Sequence, residues 1–167
     1  KYDLFSASDP DADRYGLVIR VSADEIPEDS ETAEAMGIVL KLTPEEQQRY
    51  GYGGFRVVPP NEWGSLIAYY DLNYLKNKGK LDRNKYVIVF THVTSTILQK
   101  IANVFGIGTR VKPVGIDQLA AETVKLEQEG KLNIAGVEES GTYMTGDHIL
   151  DKDGFLGGLR IAEIAAF

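Results

Sequence analysis

Apolar and polar positions follow two different rhythms in the last two thirds of the chain. Short apolar runs, of which YVIVF at residues 86–90 is the clearest, are typical of strands buried on both faces. Between these runs, apolar side chains recur every three or four positions, as they do in amphipathic helices. The pattern predicts helices over about 61–80, 95–106, 115–130 and 152–167, and strands over 85–91, 109–114 and 132–137.

Strands that alternate with helices in this way favour an α/β fold, here a three-layer α/β/α sandwich with a mostly parallel (mixed) sheet, from about residue 60 to residue 167. Ligands of such sheets bind beyond the carboxyl ends of the strands, so the loops at 91–95, 113–117 and 136–154 should gather on one rim. Residues 14–21 predict one earlier strand. The polar stretch 21–59 resembles an insertion or linker with short helices.

The composition is that of a globular protein, with 43% hydrophobic and 26% charged residues. No apolar run approaches the roughly 20 residues of a membrane span, so no membrane partner is expected. Cysteine is absent, which excludes disulfides and thiolate chemistry and fits a reducing compartment, and we expect a cytoplasmic protein. The chain starts at Lys1 without a signal-peptide pattern, and we expect it to be an excerpt of a longer protein.

The charge balance narrows the class of partner. The net charge is −7, from 25 acidic and 18 basic residues, and no stripe of lysine and arginine is present. Attraction to nucleic-acid phosphates would therefore be poor, and no nucleic-acid partner is expected. A small anionic substrate would need a metal ion or a few placed cations to reverse the sign locally.

A cluster of acidic residues offers such a metal site. In SDPDADRYG, Asp9, Asp11 and Asp13 stand on alternate positions, and a curled loop would bring their oxygens around one Mg²⁺ or Ca²⁺ ion. The alternation resembles the start of an EF-hand, but the sixth and twelfth positions hold Arg14 and Arg20, so that motif fails. An acidic surface turn is the simpler alternative. Arg14 favours the metal, because a guanidinium beside it would orient a phosphoryl group.

Four segments together carry a family resemblance. SDPDADRYGLVI resembles the metal-binding loop of the α-D-phosphohexomutases, the phosphoglucomutase/phosphomannomutase family. PNEWGSLIAYY resembles the helix that opens the third domain of that family. GVEESG and DHILDKDGFLGGLRIAEIAA resemble the sugar-recognition loop of the same domain and the helix behind it. The resemblance covers residues 3–20 and about 60–167, in the family's order.

The resemblance implies a domain organisation. Residues 1–59 would be the C-terminal part of the metal-loop domain, a neighbouring α/β domain, with an irregular insertion at about 21–59. Residues 60–167 would be the sugar-recognition α/β/α domain. The chain would then be a central fragment: the end of domain 2 followed by domain 3.

The resemblance also implies a metal and a phosphate site. Asp9, Asp11 and Asp13 would bind Mg²⁺, and Arg14 would contact the phosphoserine or the substrate phosphate. The enzyme would interconvert glucose 1-phosphate and glucose 6-phosphate through a phosphoserine and a bisphosphate intermediate. Mannose phosphates, alone or beside glucose phosphates, are the close alternative substrates.

Three further residues receive sugar-side roles from the resemblance. Glu138 and Ser140 would bind the sugar hydroxyls, and Lys152 would lie near the sugar and the phosphate that moves. The residue chemistry agrees, since a carboxylate accepts hydrogen bonds from neighbouring hydroxyls and a serine can donate or accept. Without the resemblance, the EES sequence is an ordinary polar turn, and Asp151 or Asp153 caps the last helix.

The sequence departs from the family pattern in several places. Ile116 and Asp117 stand where many members carry an aromatic residue or histidine and then a lysine or serine, and Thr142 replaces a histidine. We expect His92 and His148 to be loop residues.

Two family loops have no counterpart: the Ser-His phosphoserine loop and the Arg-x-Ser-Gly-Thr phosphate clamp. Ser6 and Ser8 lack a neighbouring histidine and are not proposed as nucleophiles. The chain alone should therefore be inactive and depend on the remaining domains of the same enzyme.

Two other classes of function remain open from the residues alone. One is a non-catalytic Mg²⁺- or Ca²⁺-binding module, which would keep its function in isolation. The other is a hydrolase that passes through an aspartyl phosphate, in which Asp9 or Asp11 would be the nucleophile.

Overall fold

A computed structural model of the chain describes residues 4–145 and 148–166. Two four-stranded sheets organise these residues, each sheet in a compact unit of its own. The first unit contains residues 4–7 and 16–59. The second contains residues 8–15 together with residues from 60 onward, so the acidic loop folds with the second unit.

The second unit alternates helices and strands, as the hydrophobic pattern predicts. Its elements are α3 (Pro60–Asn77), β5 (Tyr86–Thr91), α4 (Ile97–Phe105), β6 (Gly108–Lys112), α5 (Ile116–Gln128), β7 (Leu132–Glu138), β8 (Thr142–Met144) and α6 (Gly154–Ala166). Glycines in the left-handed conformation end two of the predicted segments, Gly106 after α4 and Gly130 after α5. The bounds differ from the sequence prediction by only a few residues at most ends.

The sheet of the second unit is mixed, in the order β6-β5-β7-β8. β5 pairs in parallel with β6 and with β7, and β8 runs antiparallel to β7. The parallel strands place the ends Thr91, Lys112 and Glu138 at one edge. This edge is the rim on which the sequence predicts the functional loops.

Helices cover both faces of this sheet. On one face, Val87 and Val89 pack with Met144 and with Leu119 and Leu126 of α5. Side chains alternate along a strand, so the neighbouring residues of β5 and β7 face the other way. There α3 lies very close to β7: a Cβ on Gly64 would be 2.7 Å from Cγ1 of Val137. The predicted three-layer α/β/α sandwich with a mostly parallel, mixed sheet is confirmed.

The first unit is built on an antiparallel arrangement. Its sheet has the order β1-β2-β4-β3, in which β4 pairs antiparallel with both β2 and β3. Its elements are β1 (Leu4–Ser8), β2 (Tyr15–Val21), α1 (Ser30–Ala35), β3 (Ile38–Lys41), α2 (Pro44–Tyr50) and β4 (Gly54–Val58). Two helical segments are short, as expected between residues 21 and 59, and α2 starts at a capping box formed by Thr43 and Glu46.

Three strands that follow β2 lie where the hydrophobic pattern predicts none. β3 and β4 belong to the stretch 21–59, which the sequence predicts to be irregular, and β8 lies inside the predicted loop 136–154. Each is only three to five residues long, so its alternation is too brief to stand out. Residues 146 and 147 of that loop lie outside the described residues. Within the described part of the chain, no helix is both long and apolar enough to cross a membrane.

Candidate active site

The acidic loop is a tight turn that gathers its three aspartates. The N–H of Ala12 donates a 3.0 Å hydrogen bond to the carbonyl of Asp9, and Ala12 adopts φ 61°, a left-handed conformation that is uncommon outside glycine. One carboxylate oxygen each from Asp9, Asp11 and Asp13 lies within 4.8 Å of the others. The alternate spacing therefore does produce convergence.

The aspartates of the loop differ in their electrostatic state. A 3.0 Å hydrogen bond from the backbone N–H of Arg14 lowers the pKa of Asp9. Partial burial, together with the neighbouring carboxylates Asp9 and Asp11, raises the pKa of Asp13. Like charges this close oppose ionisation of one another. The negative charges of the three aspartates are therefore not fully neutralised by nearby positive charge.

The donor set of the loop fits a hard divalent cation. All three candidate ligands are carboxylates, and Mg²⁺ and Ca²⁺ prefer oxygen donors of this kind. Oδ1 of Asp13 is buried and accepts no hydrogen bond from the described residues. A buried, unsatisfied carboxylate oxygen beside two other acids is a position that a cation would satisfy.

Two cationic side chains flank the acidic loop, each beside a different oxygen of Asp13. The Arg14 Nε lies 4.0 Å from Oδ1 of Asp13, and about half of the Arg14 side chain is exposed. Lys152 Nζ lies 3.5 Å from Oδ2 of Asp13, with 21% of its side chain exposed. Both charges can face an anion held above the loop, while neither fully neutralises the three aspartates.

The predicted sugar-side residues lie at the carboxyl end of β7. Glu138 is 3% exposed, and its Oε1 accepts a 2.9 Å hydrogen bond from the backbone N–H of Gly115. The exposed Ser140 places its Oγ 3.4 Å from Oε2 of Glu138 and 3.3 Å from Oγ1 of Thr142. The carboxylate is therefore held in place, and an exposed serine hydroxyl lies beside it.

Two glycines join the acidic loop to the rim. Gly141, with φ 91°, accepts through its carbonyl a 3.1 Å hydrogen bond from the N–H of Tyr15. The N–H of Gly154, at the start of α6, donates a 3.1 Å bond to the carbonyl of Ala12, and a Cβ on Gly154 would lie 2.3 Å from the carbonyl oxygen of Arg14. The absence of side chains at both glycines lets the acidic loop, the segment that follows β7 and the start of α6 touch within one unit.

Comparison with known families gives this arrangement a context. The sequence profile of the phosphoglucomutase/phosphomannomutase α/β/α domain III matches residues 62–166. The chain belongs to this family. The matched span covers most of the second unit, including the rim and Lys152.

Two curated relatives illustrate the breadth of the family. A Schizosaccharomyces pombe protein named "Probable phosphoribomutase" is 32% identical over 130 residues, which are 74% of this chain and 22% of that protein. The phosphomannomutase of Mycoplasma pneumoniae is 24% identical over 167 residues, which are 100% of this chain and 24% of that protein. Other relatives are named glucose 1,6-bisphosphate synthase and phosphopentomutase. The chain spans about a fifth of the length of the curated relatives that it matches.

Solved structures share the fold. A phosphoglucomutase/phosphomannomutase family protein of Burkholderia thailandensis has a TM-score of 0.62 at 16% identity, covering 99% of this chain and 26% of that one. Parafusin from Paramecium, a phosphoglucomutase, has a TM-score of 0.58 at 21% identity, covering 98% and 21%. The N-acetylphosphoglucosamine mutase of Aspergillus fumigatus, solved with GlcNAc-6P and magnesium, has a TM-score of 0.52 at 15% identity, covering 83% and 20%.

Several positions that depart from the family pattern have ordinary structural roles. Ile116 and Asp117 are the first residues of α5, and Thr142 is buried at the start of β8. His92 is exposed and lies 3.3 Å from the carbonyl of Lys112. His148 Nε2 lies 3.1 Å from Asp153, which caps α6 through the N–H of Leu156. Neither histidine joins the cluster of three aspartates.

A hydrogen bond between two residues on the rim of this domain could not be predicted from the sequence. Thr91 ends β5 with no exposed surface, and its hydroxyl donates a 2.9 Å hydrogen bond to Oε2 of Glu139. The two residues are 48 positions apart, so no local spacing connects them. A threonine ending an otherwise apolar strand is the one signal that the sequence offers.

Proposed function

We propose that the chain is the central part of a Mg²⁺-dependent phosphohexomutase that interconverts glucose 1-phosphate and glucose 6-phosphate through a phosphoserine enzyme and a bisphosphate intermediate. One observation carries the proposal: a three-aspartate cluster, two flanking cations and a carboxylate-serine pair are joined within one unit through Gly141 and Gly154. Family membership supplies the reaction class, a phosphoryl-transferring mutase. The serine that carries the phosphoryl group and the loop that clamps the substrate phosphate would come from the rest of the enzyme.

Each proposed role follows from the residue's position. Asp9, Asp11 and Asp13 would hold Mg²⁺, and the magnesium bound in the Aspergillus fumigatus mutase, which shares the fold, supports this choice of ion. Mg²⁺, when bound, supplies Lewis-acid polarisation of a phosphoryl oxygen. Arg14, with its half-exposed guanidinium, would bind and orient the phosphate.

The sugar side would be arranged by the rim. Glu138 would accept hydrogen bonds from vicinal sugar hydroxyls, and the exposed Ser140 would donate or accept a further one. Lys152 would lie between the sugar and the acidic loop and hold positive charge next to the phosphoryl group as it moves. Positioning and charge neutralisation are most of what phosphoryl transfer requires.

The choice of sugar is the open part of the proposal. Mannose phosphates are one alternative, since the M. pneumoniae relative is a phosphomannomutase and a carboxylate-serine pair need not distinguish epimers. Pentose phosphates are the other, because relatives at 30–32% identity are named for phosphoribo- or phosphopentomutases. We favour the hexose because the solved structures that share the fold are named for hexose phosphates.

A coupled assay of the full-length enzyme tests the proposal. Glucose, mannose and ribose 1-phosphates are supplied in turn, with Mg²⁺ present or chelated. Mg²⁺-dependent conversion should be lost in Asp11→Ala and retained in the matched control Asp24→Ala, an exposed aspartate of the first unit. If no sugar phosphate is converted, the mutase proposal is wrong, and phosphate release without isomerisation would favour the aspartyl-phosphate hydrolase instead.

A further inference from the structure

Two consecutive glutamates, Glu138 at the end of β7 and Glu139 directly after it, form hydrogen bonds with two different segments of the second unit. Glu138 accepts from the backbone of Gly115, in the loop after β6. Glu139 accepts from the hydroxyl of Thr91, the last residue of β5. The segment that carries Ser140 therefore leaves the sheet between two anchors, one on each of the two residues that precede it.

The anchor on Glu139 is part of a directed chain of hydrogen bonds. Thr91 is fully buried, and its Oγ1 lies 2.8 Å from Oγ1 of Thr94, which is 6% exposed. A hydroxyl donates one proton, and Thr91 donates its proton to the carboxylate of Glu139, which it contacts at 2.9 Å. Thr94 then donates to Thr91, which is closer than its other acceptor, the Val137 carbonyl at 3.4 Å. The chain therefore runs in one direction, from Thr94 to Glu139.

The arrangement separates the roles of the two glutamates. Glu138 has Ser140 beside it on the rim, whereas Glu139 makes its contact with the buried end of β5. Glu139 is half-buried, and its carboxylate accepts a hydrogen bond from the buried Thr91 hydroxyl. This bond restrains the backbone of Glu139, which precedes Ser140. Loss of the anchor would leave Ser140 present but free to move, whereas Glu138 would keep its hydrogen bond to Gly115.

We propose that Glu139, held by Thr91, is a positioning residue for sugar recognition, and that it fixes the position of Ser140 beside Glu138. This inference rests on the proposed function. It assigns to the Thr94–Thr91–Glu139 chain the role of setting substrate affinity rather than the rate of phosphoryl transfer.

The test uses the full-length enzyme and four substitutions at the anchor. Thr91→Val keeps the shape and removes the donor, and Glu139→Ala removes the acceptor. Both should raise KM for glucose 1-phosphate about tenfold with kcat changed less than about threefold, the effect expected when a hydrogen bond to a charged group is lost from a binding site. Thr91→Ser and Glu139→Gln keep a donor and an acceptor, and should restore KM to within about twofold of wild type.

Thr109→Val is the matched control. Thr109 also lies in the sheet and donates a 2.7 Å side-chain hydrogen bond, to Gln99, but it is on β6 and makes no contact with the rim loop through that bond. The KM of the Thr109→Val variant for glucose 1-phosphate should stay unchanged. Thermal unfolding of all five variants shows that each is folded, and the half-buried Glu139 provides a variant that folds even if Thr91→Val does not.

The outcomes distinguish failure of the positioning role from failure of the proposed function. Wild-type enzyme without activity on any sugar phosphate overturns the proposed function and this inference with it. Active wild type with unchanged KM in Thr91→Val and Glu139→Ala overturns the positioning role alone. A loss of kcat without a change in KM, failure of the conservative pair to restore KM, or an equal effect in Thr109→Val also overturns it.

Discussion

Two charge clusters of the second unit are built in opposite ways. In the acidic loop, three carboxylates meet two partly exposed cations, and the pKa of Asp13 is raised. On α5, the single carboxylate of Glu122 meets Lys112 at 2.8 Å, Arg110 at 3.4 Å and Lys125 at 3.9 Å, and its pKa is lowered chiefly by the Lys112 hydrogen bond. The acidic loop has fewer cations than carboxylates, whereas three cations surround the single carboxylate of Glu122.

The difference distinguishes the proposed cation site from a structural contact. Glu122 is 7% exposed, and each of its carboxylate oxygens already contacts a cationic side chain. A metal ion would therefore bring no further stabilisation there. Asp13 retains a buried oxygen without a hydrogen-bond partner among the described residues. Both clusters contain buried carboxylate oxygens, but we expect only the acidic loop to gain energy by binding a cation.

Removing one of the three aspartates proposed to bind Mg²⁺ should have the largest effect on the comparison. Asp11→Ala should weaken Mg²⁺ binding to the chain by about 100-fold or more, since one of three carboxylate ligands is lost. Isothermal titration calorimetry with Mg²⁺ measures the affinity. Glu122→Gln is the control and should bind as the wild type does; equal weakening in both variants would mean that the cation binds by diffuse charge.

Removing the satisfied carboxylate should cost stability instead. Glu122→Ala should lower the free energy of unfolding by about 2 kcal/mol, because it leaves the partly buried Lys112 without its acceptor. Urea denaturation gives the value. The exposed Glu127 lies on the same helix, and Glu127→Ala should change stability by less than about 0.5 kcal/mol. Equal effects at the two positions would contradict the comparison.

The two clusters should respond to pH with opposite signs. Because its pKa is lowered from 4.5, Glu122 contributes stability above that value, and this contribution is lost as the pH falls through the lowered pKa. Because its pKa is raised from 3.8, Asp13 contributes most below that value, and its contribution is lost as the pH rises through the raised pKa.

Urea denaturation between about pH 3 and pH 7 checks this pH dependence, with Glu122→Gln and Asp13→Asn subtracted from wild type. The Glu122 difference should grow with pH and the Asp13 difference should shrink. Differences that run in the same direction would show that the two carboxyls are not in opposite environments.

Removing a flanking cation should have the smallest effect. Lys152 lies 3.5 Å from Asp13, and a positive charge there competes with a metal ion. Lys152→Met should therefore increase the affinity for Mg²⁺ about threefold, a small effect because solvent screens the repulsion between the lysine and the cation. Lys152→Arg keeps the positive charge and should leave the affinity unchanged. Weaker binding in Lys152→Met would mean that the lysine shapes the loop rather than competing with the cation.

The acidic loop was predictable because its signal is local. Three aspartates within five residues converge through a single turn, which the hydrogen bond from Ala12 to Asp9 closes. Strands β5 and β7 of the second unit were equally visible, because both are buried on both faces and are continuous apolar runs in the sequence.

The remaining contacts could not be predicted from the sequence. The Glu122 cluster joins α5 to β6, and the Thr91–Glu139 bond joins two strand ends, so both depend on the register of a sheet that spacing alone does not give. The structure brings the backbone of Tyr15 to Gly141, a contact between residues far apart in the chain.

The assignment of residues 8–15 to the second unit has a consequence for the topology of the chain. Residues 16–59 form an excursion that interrupts this unit, and it departs on β2 and returns on β4. These strands pair antiparallel, with Leu17 opposite Val58 and Val21 opposite Gly54. The residues between Val21 and Gly54 therefore connect the two strands of one antiparallel pair, and they include β3, which pairs with β4 at the edge of the sheet. A change in the length of this connection outside β3 need not shift the points at which the chain leaves and re-enters the second unit.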